Sequence, residues 1–184
     1  MKKGWKRFLL LLSLGMVVVV GGLYLLGLTF HQEIHDDIMI HASDERVWQI
    51  LTDYSHYPDW NPYIRRASGE LKSGAQLDVR LQPSGTAPTD LQTTIVTLES
   101  KRKFCWLGHI LIPGLLDGQH CFTITPLGAN TVRLTQSEAF SGMLIPFLTD
   151  SLERETPRGF TDMNQALKRR AEQTSHNILY AVGQ

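Results

Sequence analysis

The side chains best able to do chemistry lie in a hairpin predicted about Pro113. If its strands pair symmetrically about that residue, Trp106 faces His120 and Cys105 faces Cys121. Because side chains alternate between the two faces of a strand, Trp106 and His120 share one face and the two cysteines share the other. An imidazole here predicts acid–base chemistry or a polar contact to a ligand. The alternative is a core histidine that donates to a backbone carbonyl group.

A carboxylate in the next predicted strand is the second group of interest. The alternation from Val132 to Phe140 puts Glu138 on the inward face together with Phe140. A carboxyl group in an apolar pocket can serve as an acid or base, or it can orient a ligand hydroxyl group. The alternative is that Glu138 lies near the strand end, where it is hydrated or paired with an arginine.

The only two cysteines of the chain, Cys105 and Cys121, are direct partners in the predicted register. A disulfide needs Cβ atoms about 4 Å apart, a separation that a cross-strand pair approaches. We therefore hypothesise a disulfide if the domain lies in an oxidising compartment. The alternative is a pair of reduced thiols on the sheet surface.

The sequence gives little support for a metal or cofactor site. His31, His35 and His41 are near one another, but their spacing is not that of a helical or finger-like metal site. The chain contains no P-loop, dinucleotide-binding fingerprint or HExxH motif. We therefore expect neither a metal nor a cofactor.

The elements that must position these residues follow from the apolar periodicity. A first strand is predicted over 35–41, followed by a helix capped by Ser43, a turn-rich aromatic stretch and a series of short alternating strands that ends at residue 140. A long helix over 151–173 closes the chain, and Pro157 is expected to kink or restart it. This order predicts an α+β fold in which the helix lies across a curved antiparallel sheet.

The N-terminal segment has the composition of a transmembrane anchor. Residues 8–30 contain no charged side chain, and about 20 apolar residues are enough to cross a bilayer as a helix. Four basic residues precede the apolar run and acidic residues follow it, so the positive-inside rule predicts a cytoplasmic N-terminus. The alternative is a cleaved signal peptide, but the run is long and no A-x-A-like site follows it.

Charge and length limit what the remainder of the chain can be. Residues 31–184 carry 14 basic and 18 acidic side chains, a net charge of −4, which argues against nucleic-acid binding. The predicted organisation is an anchor over 1–30, a polar tether over 31–37, one domain over 38–175 and a tail over 176–184.

Segments along most of residues 35–173 resemble the SRPBCC superfamily, which has the START/Bet v 1-like helix-grip fold, and most closely its polyketide cyclase/dehydrase branch. They are Ile40–Trp48, Leu51–Asp53, Tyr57–Pro62, Gly118–Phe122, Thr131–Arg133, Glu138–Gly142 and Gly159–Leu167. The resemblance implies a seven-stranded sheet that grips a C-terminal helix around an apolar cavity. It also implies binding of lipids, sterols, polyketides or quinones.

These observations predict a membrane-anchored protein that binds a hydrophobic ligand (lipid, quinone or polyketide-like) on the periplasmic or extracellular side, without catalysis. One alternative is a cyclase or dehydratase that uses His120 and Glu138 as acid and base; another is an interaction domain with no cavity. The candidate polar contacts are His120, Glu138 and Asn164. The candidate wall residues are Trp60, Trp106, Phe122, Phe140, Phe160, Met163 and Leu167.

Two loops are unusually apolar for surface connections, residues 110–116 and residues 142–148. One interpretation is that they fold back and close the core. The other is that they line the cavity entrance and contact the bilayer.

Overall fold

The fold consists of one antiparallel sheet, a long C-terminal helix and an N-terminal apolar helix. The computed structural model describes residues 2–27, 29–83, 85 and 87–182. The sheet has seven strands in the order β1-β7-β6-β5-β4-β3-β2. The strands are β1 (His31–Ile40), β2 (Ile64–Gly69), β3 (Gln76–Leu81), β4 (Thr89–Glu99), β5 (Lys103–His109), β6 (Asp117–Gly128) and β7 (Thr131–Ser141). The helices are α1 (Lys2–Gly27), α2 (Asp44–Thr52), α3 (Tyr57–Trp60) and α4 (Ile145–Val182).

Helix α4 packs on the sheet through the apolar stripe that the periodicity predicted. Phe160, Met163, Leu167 and Ala171 on this stripe are all fully buried. They meet the inward-facing side chains of the central strands in one continuous core. The α+β helix-grip prediction is therefore confirmed, because a curved sheet and a single long helix bury their apolar faces against each other.

The connection between β1 and α2 follows from local capping. The Ser43 side chain accepts a hydrogen bond from the Arg46 backbone N–H, which satisfies one of the free donors at the start of α2. Asp44 and Glu45 occupy the first turn and pair with Arg102 and Lys101 beyond the end of β4. The predicted cap at Ser43 is thus confirmed.

Two predicted boundaries at the ends of the domain are wrong. Residues 31–37, expected to be a tether, form the first part of β1, where His31 to Asp37 pair with β7. The polar side chains of this segment alternate with Ile34 and Ile38, which is the pattern of an edge strand. At the other end α4 continues to Val182, so the expected tail is helical to that point; residues 183–184 lie outside the described part of the chain.

Helix α4 also begins before its predicted start, and strand β2 was not predicted. The helix starts at Ile145 rather than at residue 151 and runs without a break through Pro157, so the predicted restart does not occur. Strand β2 has weak alternation, since Ile64 and Ala67 are its only buried residues.

Helix α1 has the length and composition of a membrane span. Its segment Gly4–Gly22 is 19 residues long, and none of it is buried against the rest of the protein. An N-terminal signal sequence has the same features. The helix is therefore a candidate for a single membrane crossing.

Candidate functional site

The central strands and the first turns of α4 enclose a cavity of about 190 Å³. Most of its wall area is apolar, and polar side chains interrupt it. The apolar wall includes Val79, Leu81, Leu91, Trp106, Phe140 and Leu152, and the polar groups include Tyr63, His120, Glu138 and Glu155. An interaction domain with a filled interior would lack such a space. An apolar cavity with a few convergent polar groups is the usual form of a small-molecule site.

Four of the ten predicted ligand-binding residues line this cavity, namely Trp106, His120, Glu138 and Phe140. The others lie elsewhere. Phe122, Phe160, Met163 and Leu167 fill the core under the middle of α4, where each is buried. Helix α4 lines the cavity with residues between Ser151 and Thr156, so the stripe that starts at Phe160, further along the helix, seals the core.

Asn164 and Trp60 are the remaining two, and neither contacts the cavity. Asn164 is fully buried and donates to Asp36 on β1 through Nδ2 at 3.0 Å. Trp60 lies in α3 and lines a surface cleft together with Arg46 and Arg170. Both assignments to the cavity are wrong because they relied on side-chain type in regions where the sequence did not define the packing.

The polar centre of the cavity is a direct contact between His120 and Glu138. The two residues are register partners on β6 and β7, and His120 Nδ1 lies 2.5 Å from Glu138 Oε2. The interpretation of Glu138 as paired with an arginine is therefore wrong, since its partner is a buried imidazole. An acid and a base that act on one substrate must both reach it, and two side chains in direct contact can do so.

The second ring nitrogen of His120 is also occupied. Gln136 Nε2 lies 3.0 Å from His120 Nε2 and 3.6 Å from the Met163 sulfur. Because an amide N–H₂ donates, His120 Nε2 acts as the acceptor and Nδ1–H donates to Glu138. His120 therefore does not donate to a backbone carbonyl group, as the alternative expected, but belongs to a network of side chains.

Aromatic packing fixes the plane of the His120 ring. Trp106 stacks on it with ring centroids 4.8 Å apart and planes 11° apart, as the predicted hairpin register requires. Phe160 packs edge-on at 5.1 Å. Only 2% of the surface of His120 is exposed. The imidazole is thus a rigid support for the Glu138 carboxylate.

Tyr63 and Glu155 line the cavity and were missed by the sequence analysis. Tyr63 is buried, and burial together with the charges of Glu138 and Glu155 raises the pKa of its phenol far above the ordinary value. Its hydroxyl group therefore stays protonated and can donate. The ring fits because a Cβ at Gly159 would lie 2.3 Å from it, so glycine permits the close approach. The sequence feature nearest to an indication of Tyr63 is Gly159, which lies in a segment that resembles the family.

Gly118 is a second position that the sequence analysis did not assign to the site. A Cβ atom at this residue would lie 2.4 Å from Glu138 Oε1, so the carboxylate occupies the place of a side chain. Oε1 therefore lies over the backbone of β6 in the cavity wall. Among the described residues, the hydrogen-bond partner of this carboxylate is His120, which contacts the other oxygen.

The mouth of the cavity is formed by partly exposed side chains of the β5–β6 tip, the β3–β4 connection and α4. Ile110 and Leu116 lie at this mouth and belong to the apolar loop 110–116. Backbone hydrogen bonds join this loop to the loop 142–148: Met143 N–H donates to Gly114 O at 3.1 Å, and Leu144 N–H to Leu115 O at 3.0 Å. The two segments are called the apolar loop pair below.

The apolar loop pair folds back into the domain in part, and its contact with a bilayer stays a prediction. Ile145 folds into the interior and is buried. Leu111, Ile112 and Phe147 point outward and are 86%, 59% and 82% exposed. Leu111 also has a positive φ of 65°, a backbone conformation that is unfavourable for a bulky side chain.

The C-terminal end of α1 contacts the apolar loop pair. The Tyr24 hydroxyl group donates to Pro113 O at 3.2 Å, and Gly27 is buried against Met143. The tip of the β5–β6 hairpin and the end of the apolar helix are therefore neighbours.

The two cysteines lie on the sheet face opposite Trp106 and His120. Their Cα atoms are 4.2 Å apart, and their sulfur atoms are joined in a disulfide. Both residues are buried, so the alternative of two thiols on an open sheet surface does not describe them.

Histidine and carboxylate side chains do not gather into a metal site in the described part of the chain. No group of three or more His, Cys, Asp or Glu residues there has a suitable arrangement. His31 and His35 lie on β1, and His41 follows that strand.

Solved structures with the same fold share little sequence with this chain. Zhui aromatase/cyclase from Streptomyces sp. R1128 is 16% identical, with a TM-score of 0.65 over 78% of this chain and 95% of that one. Norcoclaurine synthase from Thalictrum flavum, in complex with dopamine and hydroxybenzaldehyde, is 14% identical, with a TM-score of 0.62 over 79% and 89%. A START superfamily protein from Mycobacterium smegmatis is 20% identical, with a TM-score of 0.57 over 79% and 99%.

Sequence comparison identifies the family directly. No curated protein matches the chain. Residues 31–172, however, match the family described as polyketide cyclase / dehydrase and lipid transport. This match covers the whole sheet and most of α4. The chain therefore belongs to the polyketide cyclase/dehydrase and lipid transport family.

Proposed function

We propose that this protein binds an apolar small molecule in the 190 Å³ cavity, at the outer surface of the membrane that α1 crosses. The observation that carries the proposal is the position of the cavity mouth. Ile110 and Leu116 at this mouth belong to the apolar loop pair, which contacts the C-terminal end of α1 through Tyr24 and Gly27. A ligand can then pass between the bilayer and the cavity without crossing water.

The membrane position is supported by the distribution of charge and of exposed apolar side chains. The basic residues in the first turns of α1 favour a cytoplasmic N-terminus, which leaves the domain on the periplasmic or extracellular side. Exposed Leu111, Ile112 and Phe147 form the part of the apolar loop pair that would enter the interface. A leucine that is exposed and held at positive φ buries little apolar surface within the domain, which supports a role in contact with lipid.

Binding without catalysis is favoured by the contacts of His120. Both ring nitrogens are engaged by protein side chains, so this imidazole cannot take a proton from a ligand without losing a partner. The rival function is acid–base catalysis, and the contact between His120 and Glu138 is the observation in its favour. In that case Glu138 would be the reacting group and His120 would position it.

Photochemical labelling tests the proposal on the full chain in lipid nanodiscs. An alkyl probe bearing a diazirine is added, and the labelled peptides are mapped by mass spectrometry. We expect label on β5 and β6 in addition to label on α1 from probe dissolved in the bilayer. Val79→Phe fills the cavity and should abolish the domain label, while Val96→Phe, on the same sheet but partly exposed, should not. Label on α1 alone in the wild-type protein would contradict the proposal.

A further inference from the structure

We infer that the end of the ligand held in the cavity is an uncharged hydroxyl group, and that the cavity rejects carboxylates and phosphates. This inference rests on the proposed binding function and adds the chemical class of the ligand. It follows from the charges of the cavity wall, the oxygen atom left free on Glu138 and the protonated phenol of Tyr63.

The charged side chains of the wall are acidic. Glu138 and Glu155 line the cavity, and none of the lining residues in the described chain is a lysine or an arginine. The Glu155 carboxylate has one local donor, the Ser151 hydroxyl group at 3.0 Å. The two lining histidines are already engaged by carboxylates, His109 by Asp117 at 2.8 Å and His120 by Glu138 at 2.5 Å. An anionic ligand would therefore bring a third negative charge into a largely apolar space whose described lining has no lysine or arginine to balance it, which is strongly unfavourable.

The free hydrogen-bonding positions match a group that both donates and accepts. Glu138 Oε2 accepts from His120, whereas Oε1 lies over Gly118 and can accept from a ligand. Tyr63 lines the same cavity, and its protonated hydroxyl group can donate to a ligand. A ligand hydroxyl group can donate to Glu138 and accept from Tyr63, whereas an ether or ester oxygen can only accept from Tyr63.

The size of the cavity indicates how much of the ligand is enclosed. Pockets for whole drug-sized ligands are about 300–1,000 Å³, and this cavity is about 190 Å³. The hydroxyl-bearing end would therefore lie inside, with the remaining apolar part emerging between Ile110, Leu116 and Leu152 at the mouth. This arrangement suits an apolar alcohol or phenol that is otherwise dissolved in the bilayer.

Three matched aromatic probes test the inference: naphthol, methoxynaphthalene and naphthoate, each substituted at the same ring position. Binding is measured by equilibrium dialysis of the full chain in nanodiscs, with empty nanodiscs as the baseline. We expect naphthol to bind about ten-fold or more tightly than methoxynaphthalene, as a hydrogen bond to a charged group implies. Naphthoate should show no binding above the baseline.

Variants assign the preference to the named groups. Glu138→Gln keeps an acceptor for His120 but removes the charge, so the affinity for naphthol should fall about ten-fold and naphthoate should gain measurable binding. Tyr63→Phe removes the donor and should weaken naphthol binding about five-fold. Glu153→Gln changes an exposed carboxylate on α4 outside the cavity and should match the wild-type protein.

The outcomes separate this inference from the proposed function. If none of the probes binds above the baseline, the proposed function and the inference both fail. If the three bind equally, or naphthoate binds best, the cavity binds ligands but the inference is overturned. If Glu138→Gln and Tyr63→Phe both leave the preference for naphthol unchanged, the assigned groups are not responsible and the inference is also overturned.

Discussion

His120 Nδ1 and Glu138 Oε2 lie 2.5 Å apart across strands β6 and β7, at the boundary between the core and the cavity. The imidazole faces the core through its contacts with Gln136 and Phe160. The carboxylate faces the cavity through its second oxygen. One cross-strand pair thus connects the stability of the core to the polar chemistry of the cavity.

Replacing Glu138 tests whether this contact supports the fold. Glu138→Ala leaves the buried Nδ1–H of His120 without an acceptor and should lower the free energy of unfolding by about 1–3 kcal/mol. Glu138→Gln keeps a carbonyl acceptor, so its free energy of unfolding should fall by much less. Urea unfolding of the full chain in detergent measures both variants. Equal stability of the alanine and glutamine variants would show that the hydrogen bond does not contribute as described.

Gly118 is expected to be essential for the position of the carboxylate. In Gly118→Ala the new Cβ would lie 2.4 Å from Glu138 Oε1, so the carboxylate must move and the free energy of unfolding should fall by about 1–3 kcal/mol. Gly128→Ala near the end of β6 meets no atom within 4 Å and is the matched control, with an effect within about 0.5 kcal/mol. Similar effects of the two substitutions would contradict the close approach.

The cysteine pair should be oxidised in protein purified without reductant. Alkylation and intact mass measurement should then find no free thiol in the native chain. Cys105 and Cys121 are 16 residues apart, and closing a loop of that size stabilises a protein by about 3 kcal/mol. Reduction should lower the free energy of unfolding by about that amount. Two free thiols in native, unreduced protein would contradict the disulfide.

The exposed residues of the apolar loop pair should control ligand entry rather than folding. Replacing Leu111, Ile112 and Phe147 together with serine should slow diazirine labelling of the cavity peptides several-fold, because the loops would no longer enter the interface. The thermal midpoint should stay near that of the wild-type protein, since these side chains are exposed. Met39→Ser with Val96→Ser removes exposed apolar surface elsewhere and is the control. An unchanged labelling rate would contradict an entry path through the loops.

The elements that the sequence predicted well are those in which one apolar face dominates. The partners in the β5–β6 hairpin follow from pairing about Pro113, which puts Trp106 opposite His120 as observed. The stripe from Phe160 to Ala171 is buried as its helical spacing predicts. In both cases a single burial requirement determines the register, because a shift by one residue would expose the apolar set.

The cavity wall could not be predicted in the same way. Its position depends on which part of α4 lies over the central strands, and apolar periodicity does not distinguish the cavity-lining Leu152 from the core-filling stripe that starts at Phe160. Tyr63 and Glu155 come from elements that meet only in the folded domain, and Trp60 lies in another cleft for the same reason. The polar start of β1 has the composition of a tether because an edge strand buries few of its side chains.

Identification of the molecule that copurifies with the full chain tests the central claim most directly. The protein is purified from cells in mild detergent, released from the micelle in a native mass spectrometer, and then extracted with organic solvent. We predict one small apolar molecule per chain, recovered unchanged and absent from Val79→Phe. A chain that carries no such molecule, or one whose bound molecule is retained in full by Val79→Phe, would contradict ligand binding in this cavity.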